Sequence, residues 1–136
     1  MQDFLKAKEL LVDDVTLVMV KDDKIIKSIE KGIAFLVSSA EENRYQGYSV
    51  ADTIIGKAAA FLYCRMQVKN VYGKTITRTA VEILQKAKIN VEYNILTDNI
   101  VNRTNTGLCP MELTVLDIED QEEAFRALKC KNEKDK

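Results

Sequence analysis

The chain of 136 residues contains no histidine. That absence excludes a histidine-bearing zinc site, a Ser/His or Cys/His nucleophilic pair and any acid–base step through imidazole. Cysteine is scarce, with three residues at positions 64, 109 and 130 and no CxxC pair. An odd number of widely spaced thiols fits the reduced cysteines of a cytoplasmic protein, not a disulfide framework or a structural zinc site. There is no apolar run of transmembrane length and no signal-peptide pattern, so no membrane association is expected. The formal net charge is only −1, with no strong field to draw in nucleic acid. Internal repeats and low-complexity linkers are also lacking. Hydrophobic residues make up 46% of the chain and charged residues 30%, which suits one ordinary globular domain with a real core.

The stretch that stands out is Ser49–Val68, SVADTIIGKAAAFLYCRMQV. It is apolar almost all round, and Ser49 with Asp52 has the spacing of a capping box. The spacing predicts one buried central helix, with Gly56 as a costly interior glycine that has a packing reason. Gly56 and Ala58–Ala60 would form a patch where a ligand can approach, with Lys57 as its one charge. Lys57 either snorkels to water or holds an anionic or carbonyl-bearing ligand. On such a helix Asp52 and Lys57 would stand about 140° apart, too far round to share one narrow pocket, leaving Asp52 as the capping partner.

In chain order, residues 3–12 carry apolar positions at helical spacing. Residues 15–20 and 25–29 predict a β-hairpin turning through Lys21–Lys24. A second helix is expected over 33–42, then a loop through Tyr48 with Gly47 as its flexible point. Residues 70–76, 77–88 and 90–96 read as strand, helix and strand. Thr77 is the N-cap of that helix, and Val91, Tyr93 and Ile95 alternate with Glu92 and Asn94. Thr97–Gly107 is a long connection rich in hydrogen-bonding groups, which either bind something or satisfy local backbone. Cys109-Pro110-Met111-Glu112 has the form of a helix start, with Pro110 at the first position and Glu112 at the capping-box position. As N-cap, Cys109 would sit where the helix dipole favours a thiolate. Asp120–Ala127 closes the domain (residues 1–128), and residues 129–136 read as a solvated tail. The pattern as a whole is α/β, a mixed sheet with helices on both faces.

Two stretches carry a resemblance. Ala51-Asp52-Thr53-Ile54-Ile55-Gly56-Lys57-Ala58-Ala59-Ala60 and Asn102-Arg103-Thr104-Asn105-Thr106-Gly107-Leu108-Cys109-Pro110-Met111-Glu112 resemble the two signatures of an uncharacterised prokaryotic family. It is known as the domain of unknown function number eighteen ninety-three. The resemblance implies a cytidine deaminase-like fold, a three-layer α/β/α sandwich, with the central helix where a zinc-binding helix would lie. It does not bring deaminase chemistry with it. Those enzymes hold zinc with His/Cys and two further Cys and move protons with a Glu, and neither the His-x-Glu nor the PCxxC pattern is present here.

Three functional readings follow. In the first, the protein is a zinc-free, cofactor-free member of that architecture that binds an unknown small molecule, nucleotide-like or anionic. The residues assigned to it are Asp52, Gly56, Lys57, Asn102, Arg103, Thr106, Gly107, Cys109 and Glu112. The planar fork of Arg103 suits phosphate or carboxylate. In the second, Cys109 is the nucleophile or redox thiol of an enzyme. In the third, the protein works as a homo-oligomer or through a partner, with Tyr45, Tyr48 and Tyr63 as exposed aromatics.

Overall fold

The computed structural model describes residues 2–29, 34–98 and 110–134. A short helix α1 (Gln2–Leu10) leads into the strands β1 (Leu17–Lys21) and β2 (Lys24–Ser28). Lys21 pairs directly with Lys24, so the hairpin turns through Asp22 and Asp23 alone, with Asp22 at a positive φ of 55°. Asp tolerates that left-handed conformation better than most residues. Helix α2 (Ala34–Glu42) precedes β3 (Ser49–Ile55), α3 (Lys57–Met66), β4 (Asn70–Thr77), α4 (Arg78–Lys86) and β5 (Asn90–Thr97). The chain ends in a short α5 (Pro110–Thr114) and a longer α6 (Gln121–Lys134).

The five strands form one mixed sheet in the order β2-β1-β3-β4-β5. β1 is antiparallel to β2 and β3, whereas β3, β4 and β5 run parallel. Helices cover both faces. On one side Ala7 of α1 packs against Val18, Val20 and Ala51. On the other, α3 is the centre of the larger core, with Leu36 and Val37 of α2, Leu84 of α4 and Leu128 of α6 joining Val50 and Val71 of the sheet. Arg65 fastens that layer. Its Nε donates to the Ala40 carbonyl at 3.2 Å, its guanidinium lies 3.8 Å from the Phe125 ring centre, and it pairs with Glu122.

The stretch Ser49–Val68 is not one helix. It is the strand β3 followed by α3, with Gly56 as the N-cap between them. Val50, Thr53, Ile54 and Ile55 are β-branched and sit in a strand flanked on both sides, and a strand covered on both faces reads as a continuous apolar run. The capping box is therefore absent: Ser49 and Asp52 both lie on β3, and Gly56 carries no helix-interior cost. Nor does the 140° separation apply, because Asp52 and Lys57 are not on one helix. The closing helix runs on to Lys134, past the point where a solvated tail is expected at Lys129. Tyr63 and Tyr48 are buried, so neither is an exposed interface aromatic.

The ladders between the parallel strands are interrupted at one level. The register of β3 on β4 runs from Ser49↔Asn70 to Asp52↔Gly73 and resumes at Ile54↔Thr75, without Thr53 and Lys74. Between β4 and β5 the gap falls at Lys74 and Asn94, and in both ladders the register is the same on either side of it. A Cβ placed on Gly73 would lie 3.1 Å from Ile55 Cδ1 and 3.2 Å from Ile76 Cβ. In a regular strand, residues three apart point to opposite faces and stay well separated. The alternation expected for β5 does not hold: Val91 and Leu96 pack against the core, whereas Tyr93 and Ile95 are exposed.

Candidate functional site

In a parallel sheet, ligands settle outside the carboxyl ends of the strands. Here those ends lie side by side, with Ile55 paired to Ile76 and Thr77 paired to Thr97. Beyond them stand Gly56 and Lys57, the Thr77–Arg78 junction and Asp98. Thr77 does cap α4, its Oγ1 accepting the Ala80 amide at 3.1 Å, and Arg78 Nε donates to Asp98 at 2.9 Å.

The start of α3 is the centre of this edge. A helix N-terminus presents free amides and a partial positive charge, which attract an anion. Gly56 has no side chain to serve them. Glu112, on α5, does so from elsewhere in the chain: the Lys57 amide donates to its Oε1 and the Ala58 amide to its Oε2, both at 2.8 Å. One carboxylate thus straddles two successive amides as a bound phosphate or carboxylate would. The buried Lys57 side chain ties down the same segment. Its Nζ donates to the Leu116 carbonyl at 3.0 Å and lies 3.8 Å from Glu119.

Asp52 takes no part in that cluster. Its carboxyl is buried beneath α3, where Oδ2 accepts the Tyr63 hydroxyl at 2.6 Å and Oδ1 the Ile54 amide at 3.4 Å. Burial pushes its pKa up to about 7, against the smaller opposing effect of those donors. Tyr63 is likewise held well above the ordinary phenol value, by burial and by the neighbouring Asp52. Cys64 is buried, with its Sγ 3.8 Å from the Ile83 carbonyl and its pKa raised to about 11, so it is an inert thiol.

Of the residues singled out from sequence, Gly56, Lys57 and Glu112 are brought to one point, and Asp52 is enclosed behind it. Glu112 acts as an anion on the helix, not as a group awaiting one, and its bonds go to α3 in place of its own helix. Asn102, Arg103, Thr106, Gly107 and Cys109 lie outside the described residues. Sequence reasoning missed Tyr63 as the partner of Asp52 and missed the Leu116 carbonyl as the seat of Lys57. Asp52 as the one acid in an apolar stretch is the only signal that could have found the first. Among the described residues, no group of three or more His, Cys, Asp or Glu could hold a metal ion, and no helix is long and apolar enough to cross a membrane.

Comparison with known proteins adds a family and a fold. A family model described as a domain of unknown function, DUF1893, matches residues 6–131. No curated protein matches the chain. Among solved structures, the DUF1893 family protein TM1506 of Thermotoga maritima is similar, with a TM-score of 0.86 at 23% identity. The alignment covers 96% of this chain and 91% of that one. At that identity the likeness shows a common fold.

Proposed function

The chain belongs to the DUF1893 family, and from the geometry at the start of α3 we propose that it binds a small anionic molecule, nucleotide-like in character, at the carboxyl ends of β3, β4 and β5. The observation that carries this reading is the Glu112 carboxylate on the amides of Lys57 and Ala58. It marks a seat of the right shape and polarity for a phosphate or carboxylate, filled by the chain's own side chain. Binding then means exchange: the ligand's anionic group takes the two amides, and α5 moves off with Glu112. The segment 99–109 starts after Asp98 and ends before Pro110, both at this edge. Its Asn102, Arg103, Thr106 and Gly107 would add donors, Arg103 as a two-pronged clamp on two oxygens.

The strand order β2-β1-β3-β4-β5 with its leading antiparallel hairpin supports a deaminase-like reading of the architecture. The zinc of that architecture does not suit these residues. The helix start carries the ammonium of Lys57, both Glu112 oxygens are engaged by amides, and the described thiols Cys64 and Cys130 are respectively buried in the core and out on α6. The proposed activity is therefore binding without deamination.

Thermal-shift screening of wild type, Lys57→Ala and Arg103→Ala against nucleosides, nucleotides, sugar phosphates and inorganic phosphate tests the reading. A phosphorylated compound should raise the melting temperature of wild type and raise it less in both variants. If nothing shifts wild type or Glu112→Ala while all variants remain folded, the reading is wrong.

A further inference from the structure

The parallel strands are covered on both faces for most of their length, but not at their carboxyl ends. Near their starts α1 lies across the face opposite α3, with Ala7 packed on Ala51, Tyr72 beside them and Lys8 paired to Glu92 at 2.7 Å. Further along, Ile55, Ile76 and Leu96 join the core beneath α3. Their chain neighbours Ile54, Thr75 and Ile95 are register mates across β3, β4 and β5. Successive side chains of a strand point to opposite faces, so this row stands on the face away from α3. There Ile54 is 54% exposed and Ile95 52%. Ile54 belongs to β3, the middle strand of the five. Parallel strands are buried on both faces as a rule, and an isoleucine open to water at the centre of the sheet marks a missing layer.

Charge flanks the row on its two sides. On the β4 side stands Lys74, exposed on an inner strand whose other face is buried under the helices. On the β1 side the Thr53 amide donates to the Thr16 carbonyl and the Val15 amide to the Val12 carbonyl, both at 3.1 Å. The turn Val12–Val15 therefore runs beside Ile54. Val12 is 53% exposed, and Asp13 and Asp14 are exposed with it. Among the described residues, Lys74, Asp13 and Asp14 form no ion pair.

An apolar row with a cation one strand to one side and carboxylates one strand to the other is complementary to its own copy under a twofold axis. We propose that two copies of this chain pack these open faces together. Ile54 meets the same residue of the second copy, and Lys74 of each copy reaches the Asp13–Asp14 turn of the other. The apolar row supplies the attraction, and the flanking charges fix the register. The inference goes beyond the ligand reading, since this face lies across the sheet from α3 and needs no occupant at its start.

Sedimentation velocity of the full chain over a range of concentrations tests the proposal, and the expected species is a dimer. Ile54→Lys alters an exposed position and should weaken the dimer by at least about tenfold. Lys74→Glu should do the same, because it sets acid against acid. Adding Asp14→Lys to Lys74→Glu should restore association, which a merely damaged fold would not allow. A wild-type monomer at every concentration overturns the proposal, as it would if the chain covered this face itself. So does a dimer indifferent to either substitution, or a reversed pair that fails to restore it. Should Ile54→Lys fail to fold, Lys74→Glu and its reversal still decide.

Discussion

Where β3, β4 and β5 begin, Ser49, Asn70 and Asn90 stand in register and join hands. Asn90 Nδ2 donates to Asn70 Oδ1 at 3.1 Å, and Asn70 Nδ2 donates to Ser49 Oγ at 3.0 Å. The ladder is neutral, and its Ser49 and Asn70 are buried. Where the same strands end, Lys57, Glu112, Glu119, Arg78 and Asp98 take over, and the partners come from distant parts of the chain. One end is closed by neighbours across the sheet. The other is closed by a carboxylate from α5, which under the proposed exchange would be released without unravelling a strand. The contrast teaches that one end of the parallel strands is sealed by side chains on neighbouring strands in register, whereas the other is capped by a side chain brought from afar.

The largest effect should come from breaking the closed end. Asn70→Ala strands the buried Ser49 hydroxyl and leaves the exposed Asn90 side chain to water, and chemical denaturation should show a loss of ~1–3 kcal/mol. Binding at the far edge should survive in whatever fraction remains folded; a loss of binding without loss of stability would erase the distinction between the two ends. The smallest effect belongs to the exposed ion pair at the open end. Arg78→Ala removes its bond to Asp98, both side chains being largely solvated, and should cost less than about 1 kcal/mol. A larger loss would mean that this edge is structural after all.

The sequence is most legible where local chemistry and tertiary burial agree. The β1–β2 hairpin, the Thr77 cap and the strand–helix–strand run from Asn70 to Thr97 are all readable, because turn residues, the cap and periodicity point the same way. They disagree at β3. A strand covered on both faces and an alanine-rich helix, joined by the single residue Gly56, merge into one apolar run whose period cannot separate them. Asp52 then looks like a helix cap when it is a buried strand carboxyl, and its partner Tyr63 lies across a strand–helix turn. Tyr93 and Ile95 alternate as a buried face would, but β5 is the last strand of the sheet and both are exposed there.

At the candidate site the legible part was composition: Gly56, Lys57 and Glu112 are marked by their contrast with what surrounds them. The illegible part was the pairing. Glu112 sits three residues after Cys109, where local spacing assigns it to its own helix, yet its carboxylate crosses to α3, a contact between residues more than fifty apart in the chain. Only the packing of α5 against α3 and α6 makes that choice.

The exchange of one anion for another at the start of α3 is best tested by calorimetric titration of wild type and Glu112→Ala with inorganic phosphate and a nucleoside 5′-monophosphate. Losing the cap should cost ~0.5–2 kcal/mol of stability while leaving the fold intact. With the internal competitor gone, the variant should bind the anion about tenfold more tightly than wild type, a difference of about 1.4 kcal/mol. A folded Glu112→Ala protein that binds neither anion, or binds no better than wild type, would contradict the account and leave Glu112 as a structural cap.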